Sequence, residues 1–152
     1  MANVFSARNF ARALSACLAV AVSHAAPAQE VGPSLALRPG RETTFAVTVS
    51  DGRVTLGTAR LSKPGSGQPK DGEITVSLVK HGLAPYADLS ATEKTSEPID
   101  FVATGLIGDI KIDEIVVCGR LDAPATGRIA SGAWRISLNR FSVRPGGAEC
   151  RR

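Results

Sequence analysis

Ile110-Lys-Ile-Asp-Glu-Ile-Val-Val-Cys-Gly-Arg120 is the densest β-branched run in the chain, and it ends on Cys118. Ile110 and Ile112 fall on one side of a period-two pattern, and Lys111 and Asp113 on the other. Strict alternation would carry Glu114 to the isoleucine side, where an unpaired carboxylate is costly. A bulge is therefore expected at Asp113-Glu114. The run reads as a central strand, with the remaining strands arranged around it.

Working outward, Cys150 is the natural partner of Cys118. Cys17 is the third cysteine and sits in an N-terminal leader. That leader has Arg8 and Arg12 ahead of an apolar stretch, Ala13 to Val22, followed by small residues at Ser23, Ala25, Ala26 and Ala28. A charged start, a short apolar stretch and a small-residue exit describe a secretory signal peptide rather than a membrane span. We expect cleavage near residue 28, one domain over 29–152, and no transmembrane segment after the leader is removed. Leu14-Ser-Ala-Cys17 resembles a lipobox, but the apolar stretch follows Cys17 instead of preceding it, which argues against a lipid-modified Cys17.

Export, with a periplasmic destination, places the domain where disulfides persist. A Cys118–Cys150 bridge would close a loop of about 30 residues and stabilise the fold by roughly 3–4 kcal/mol in the chain-entropy treatment. The spacing fits neither a Cys-x-x-Cys redox site nor a haem attachment site.

Thr43 to Val49 alternates apolar and small polar residues, Asp51-Gly52 follows, and Val54 to Leu61 returns. Asp-Gly between two such runs predicts a hairpin through a type I′ turn, because both central positions need positive φ. Ser62–Gly72 is polar, Gly- and Pro-rich and without periodicity, so it reads as an exposed, mobile loop. Glu73 to Lys80 and Pro98 to Thr104 read as strands. Gln29 to Pro39 reads as irregular, Asp88 to Thr95 as strand or short helix, and Leu121 to Gly127 as a loop. In the last strand, Trp134, Ile136 and Leu138 share one parity while Phe141 and Val143 share the other, which predicts an irregularity near Asn139-Arg140. Seven or so short strands with one bridge give an all-β, disulfide-bonded β-sandwich. An immunoglobulin-like topology is favoured over a small closed barrel, although Cys150 lies beyond the last strand, unlike the antibody pattern.

Charge is uneven. Without Arg8 and Arg12 there are 16 basic residues against 14 acidic ones. From Gly119 onward seven arginines face only Asp122 and Glu149, so the preceding part of the domain is net negative. Arginine holds carboxylate and phosphate through paired hydrogen bonds. Arg128, Arg135, Arg140 and Arg144 are thus the candidate contacts for an anionic envelope component or envelope protein. Nucleic acid is disfavoured by the compartment and by the scarcity of aromatic residues.

The exported domain has one histidine, His81, which with Asp88 and Ser77, Ser90 or Ser96 makes only a generic triad on paper. Met1 leaves with the leader, so no His/Met copper site forms, and with the cysteines paired too few nitrogen and sulfur ligands remain for zinc. Asp109, Asp113, Glu114 and Asp122 flank the central strand, but Lys111 lies between the two facing aspartates, which disfavours calcium there. No phosphate-binding glycine loop precedes a helix. No catalytic, cofactor or metal site emerges. The expected role is a non-catalytic exported binding or adaptor module of unknown ligand. The alternative is a periplasmic inhibitor of an exported lysozyme or protease, acting through the Ser62–Gly72 loop.

Overall fold

The structure, a computed structural model, describes residues 34–146 and 148–150. The expected signal peptide and its cleavage site, and Cys17, lie outside the described residues. Nine strands follow in order: β1 (Leu35–Leu37), β2 (Glu42–Ser50), β3 (Arg53–Ser62), β4 (Glu73–Lys80), β5 (Tyr86–Lys94), β6 (Ile99–Ile107), β7 (Ile110–Val117), β8 (Ala125–Ala130) and β9 (Arg135–Val143). They form two antiparallel sheets, β1-β9-β6-β7 and β3-β2-β4-β5-β8, which do not close into a barrel. The core between them includes Phe45, Ile74, Leu78, Leu89, Phe101, Ile129 and Leu138. Phe141 sits against Phe45 edge-on and stacks on Phe101.

The β2–β3 hairpin turns through Asp51 and Gly52, at φ 51° and 72°, with Ser50 opposite Arg53. That is the type I′ geometry expected. The irregularity expected in the last strand is also present. Asp100 pairs with Ser142 and Val102 with Asn139, so Arg140 and Phe141 together oppose one residue of β6. Arg140 takes the left-handed conformation there, at φ 53°. The bulge turns Phe141 toward the core and Arg140 away from it, which resolves the parity conflict.

Four expectations need correction. The Ile110–Arg120 run forms an edge strand, not a central one, and its first isoleucines are exposed. The register shift lies at Ile112 rather than at Asp113-Glu114, because Lys111 pairs with Leu106 and Asp113 with Gly105. Asp113 is then drawn to the neighbouring sheet, where Ala130 N–H donates to its Oδ2 at 2.7 Å. Glu114 faces out. Gln29–Pro39 contains β1, and the Leu121–Gly127 stretch runs into β8, whose small residues Ala125 and Gly127 carry little apolar signal. The Ile115 Cδ1 methyl packs over Gly127, 2.6 Å from where a Cβ would stand, so a larger residue there would make that side chain shift.

The Ser62–Gly72 loop, expected to be exposed and mobile, is exposed over most of its length but is hydrogen-bonded to the outer face of the five-stranded sheet. Buried Glu42 accepts from Gly67 N–H at 3.0 Å, and Pro69 is buried. Arg60 forks onto Glu73 at 2.5 and 2.7 Å, and Lys70 N–H adds a third bond at 2.8 Å. Arg60's hydrogen bond, then Lys70's, lowers the Glu73 pKa to about 2.

Candidate functional site

Strand order sends the turns to two ends of the sandwich. One end carries the β2–β3 turn, the β5–β6 and β7–β8 connections and the C-terminal tail. There Cys118, just past β7, is bonded to Cys150, with Cα atoms 5.7 Å apart. The bridge draws the tail across the outer face of the four-stranded sheet. Underneath, Arg144 binds Asp100 through two nitrogens and donates to Gly119 O at 2.8 Å, while Gly119 N–H donates to Asp100 Oδ1 at 2.9 Å. Both charged side chains are mostly buried.

Glu93 closes this cluster from the other sheet. It continues the inward parity of Ala87, Leu89 and Ala91, is 3% exposed, and accepts from Ile99 N–H at 3.2 Å. Its Oε1 has no partner among the described residues. Burial, and secondarily the nearby Asp100 charge, pushes its pKa up to about 7 against the opposing pull of the Ile99 bond and Arg144. Gly119 makes room for it, because a Cβ at 119 would lie 2.6 Å from both carboxyl oxygens.

Above the cluster is a groove of about 350 Å³. Its floor contains Val102 and Val116, which pair across β6 and β7. Its walls include Arg140, Ser142, Arg144, Pro145 and Glu149. Arg140 reaches over this floor to Glu114, with Nη2 to Oε2 at 2.5 Å, and its side chain remains 61% exposed. Arg140's hydrogen bond is the main cause holding Glu114 below the ordinary carboxylate range.

Of the four arginines expected to meet a partner, Arg140 and Arg144 are brought together and the others are not. Arg135 lies at the opposite end of β9, against Asp109 and Gly108 O. Arg128 belongs to the other sheet, over the Tyr86 ring and beside Asp88. Every one of the four touches a carboxylate. The uneven charge along the chain is thus folded into pairs.

His81 Nε2 and Asp88 Oδ2 lie 2.8 Å apart, and no serine hydroxyl bonds to His81 among the described residues. No cluster of three metal-ligating side chains is found among the described residues either. Asp100, Glu114 and Glu93 were missed as site residues. The parity leading from Leu89 to Glu93 was the available signal for the last of them. Comparisons with protein-family models, curated proteins and solved structures give no match to this chain.

Proposed function

We propose that the chain is a non-catalytic binding or adaptor module of the exported, periplasmic compartment, which takes a carboxylate or phosphate of an envelope partner at Arg140. The observation that carries this reading is Arg140 itself. A bulky non-glycine residue is held at φ 53° in a bulge, above a valine floor, with its guanidinium largely in solvent. Such a conformation costs on the order of 1 kcal/mol, and bulges recur where a side chain has to be re-aimed. The Glu114 pair is exposed enough to contribute at most about 1 kcal/mol, so an incoming anion can replace it at little cost. The disulfide is compatible with export.

An immunoglobulin-like description is proposed for the architecture alone. Two facing antiparallel sheets support it, while the bridge from the end of β7 to the tail differs from the antibody inter-sheet bond. The inhibitor reading keeps one observation in its favour. The 62–72 loop is pre-ordered by Glu42 and Glu73, and pre-ordering lowers the entropy cost of binding an enzyme.

The test is a cross-linking pull-down from cell envelopes with the wild type, Arg140→Gly and Arg135→Gly. A partner held by the wild type and by Arg135→Gly, but lost with Arg140→Gly, is the expected result. Equal recovery by all three would overturn the groove as the contact. Saturable inhibition of a lysozyme or protease, abolished by changes in residues 63–67, would favour the inhibitor reading instead.

A further inference from the structure

The end of the sandwich away from the disulfide is built quite differently. Four turns meet there: 38–41, 81–85, 108–109 and 131–134. They are stitched together by main chain. Ser131 N–H donates to Pro85 O at 3.0 Å and its Oγ to Ala84 O at 2.7 Å, while Trp134 N–H donates to Leu106 O at 2.9 Å. Gly40 N–H reaches Leu78 O at 3.4 Å. On this rigid frame the exposed side chains are apolar. Leu83 is fully exposed, Trp134 is 78% exposed and Ile110 71%. Ile107, also exposed, sits opposite Ile110 on the last rung of β6 and β7.

The charges around these residues have one predominant sign. Arg38, Arg41, Lys80, Lys111 and Arg135 are all exposed at this end, against Asp109 in the β6–β7 turn, which pairs with Arg135, and Glu114, which pairs with Lys111. Asp88, one step further in, is already matched by His81 and Arg128. Arg38, Arg41 and Lys80 have no carboxylate within 4.0 Å among the described residues. The chain's single tryptophan and single tyrosine, Trp134 and Tyr86, are both here. Exposed apolar side chains at turn apices, an exposed tryptophan and a surrounding set of cations match the chemistry of a bilayer interface, where rings settle at headgroup depth and cations meet phosphate. A protein partner would need pockets for tips that stand this far out. A fluid interface takes them without complementary shape.

We propose that this loop end is a peripheral docking surface for a bilayer carrying anionic phospholipid headgroups. Leu83, Ile110 and Trp134 enter the interface, and Arg38, Lys80, Lys111 and Arg135 meet phosphate. Leu83, Ile110 and Trp134 do not line the Arg140 groove, and the two surfaces adjoin only at Glu114, which both Lys111 and Arg140 reach, so the chain can hold a bilayer at one end and a partner on its outer sheet face.

Trp134 reports on the contact directly, because the full chain has no other tryptophan. Its emission is to be followed with vesicles of phosphatidylcholine alone, of phosphatidylcholine with phosphatidylglycerol, and of the same mixture with brominated acyl chains. The expected result is a blue shift with the anionic vesicles and quenching by the brominated ones. Each cation removed, as in Lys80→Gln or Lys111→Gln, should weaken partition about fivefold, and added salt should weaken it further. Leu83→Ser/Ile110→Ser should abolish the shift while its melting temperature stays at the wild-type value. An emission maximum unmoved by anionic vesicles would overturn the proposal. So would equal shifts with and without phosphatidylglycerol, or a shift that survives Leu83→Ser/Ile110→Ser. Protection of Trp134 by an envelope protein, with vesicles inert, would transfer the surface to a protein partner and likewise overturn it.

Discussion

At the disulfide end Asp100 and Arg144 are drawn inward and matched, whereas at the loop end apolar side chains are pushed outward and Arg38, Arg41 and Lys80 are left without acids among the described residues. Asp100, Arg144 and Gly119 form a closed hydrogen-bonded set with Glu93 pressed against it. Leu83, Ile110 and Trp134 are held in solvent by turns that are themselves well bonded. Buried, hydrogen-bonded charge is thus concentrated at one end of the sandwich and exposed apolar side chains at the other. Substitutions should therefore divide sharply by position: large losses of stability at one end, and changes in binding with little loss of stability at the other.

The largest effect should come from Arg144→Ala. It strands Asp100 in a mostly buried position and removes the donor to Gly119 O. Breaking one partner of a buried pair costs about 3–5 kcal/mol. The matching change at the loop end, Arg135→Ala, breaks an exposed contact to Asp109 and should cost less than about 0.5 kcal/mol. Urea unfolding of both variants measures the contrast directly. Similar losses would mean that the two ends are not energetically distinct. Next comes the bridge. With cysteines 32 positions apart, Cys118→Ser/Cys150→Ser should lose roughly 3–4 kcal/mol. It should also release the tail that walls the groove, so partner binding should fall with stability here.

Glu93 makes the comparison depend on pH. Its folded pKa, about 7, lies above the ordinary value of 4.5, so the folded state binds this proton more tightly than the unfolded chain does. The resulting stability is fully present below about pH 4.5 and is lost as the pH rises through about 7. The full loss is roughly 3 kcal/mol. Glu93→Gln should flatten this slope and be the more stable protein at pH 8. Urea midpoints at pH 5 and pH 8 for the two proteins check it. An equal pH slope in both would assign the titration to another group.

What could be read from the chain beforehand was whatever a few neighbouring residues decide among themselves. Asp51-Gly52 demands positive φ locally, so its turn was legible. The switch from Ile136 and Leu138 to Phe141 and Val143 exposed the bulge at Arg140 without any knowledge of the partner strand. A cysteine count sufficed for the bridge. The errors all came from groups supplied by distant chain. Asp113 turns inward because Ala130 N–H lies there, and Gly127 of β8 is covered by the Ile115 side chain from the facing sheet. The 62–72 loop is fixed because Glu42 is buried beneath it. The same limit applied to the site. The arginines were visible as residues, but not that folding would put Arg140 beside one groove, Arg135 at the far end and Arg128 on the other sheet. The apolar density of Ile110 and Ile112 suggested core and belongs largely to the exposed end.

The smallest predicted stability change is the most informative about function. Arg140→Gly removes the left-handed strain, worth about 1 kcal/mol, because glycine adopts φ near +53° freely. It also removes an exposed ion pair to Glu114 worth up to about 1 kcal/mol. These terms oppose each other, so the net change in unfolding free energy should stay within about 0.5 kcal/mol. If Arg140 were only a structural staple, the strain would be expected to be outweighed by the pair, and Gly would destabilise beyond that range. Near-neutral stability with lost partner retention would instead mean that a residue kept in an unfavourable conformation does little for the fold, and that its strain is tolerated for what the guanidinium reaches.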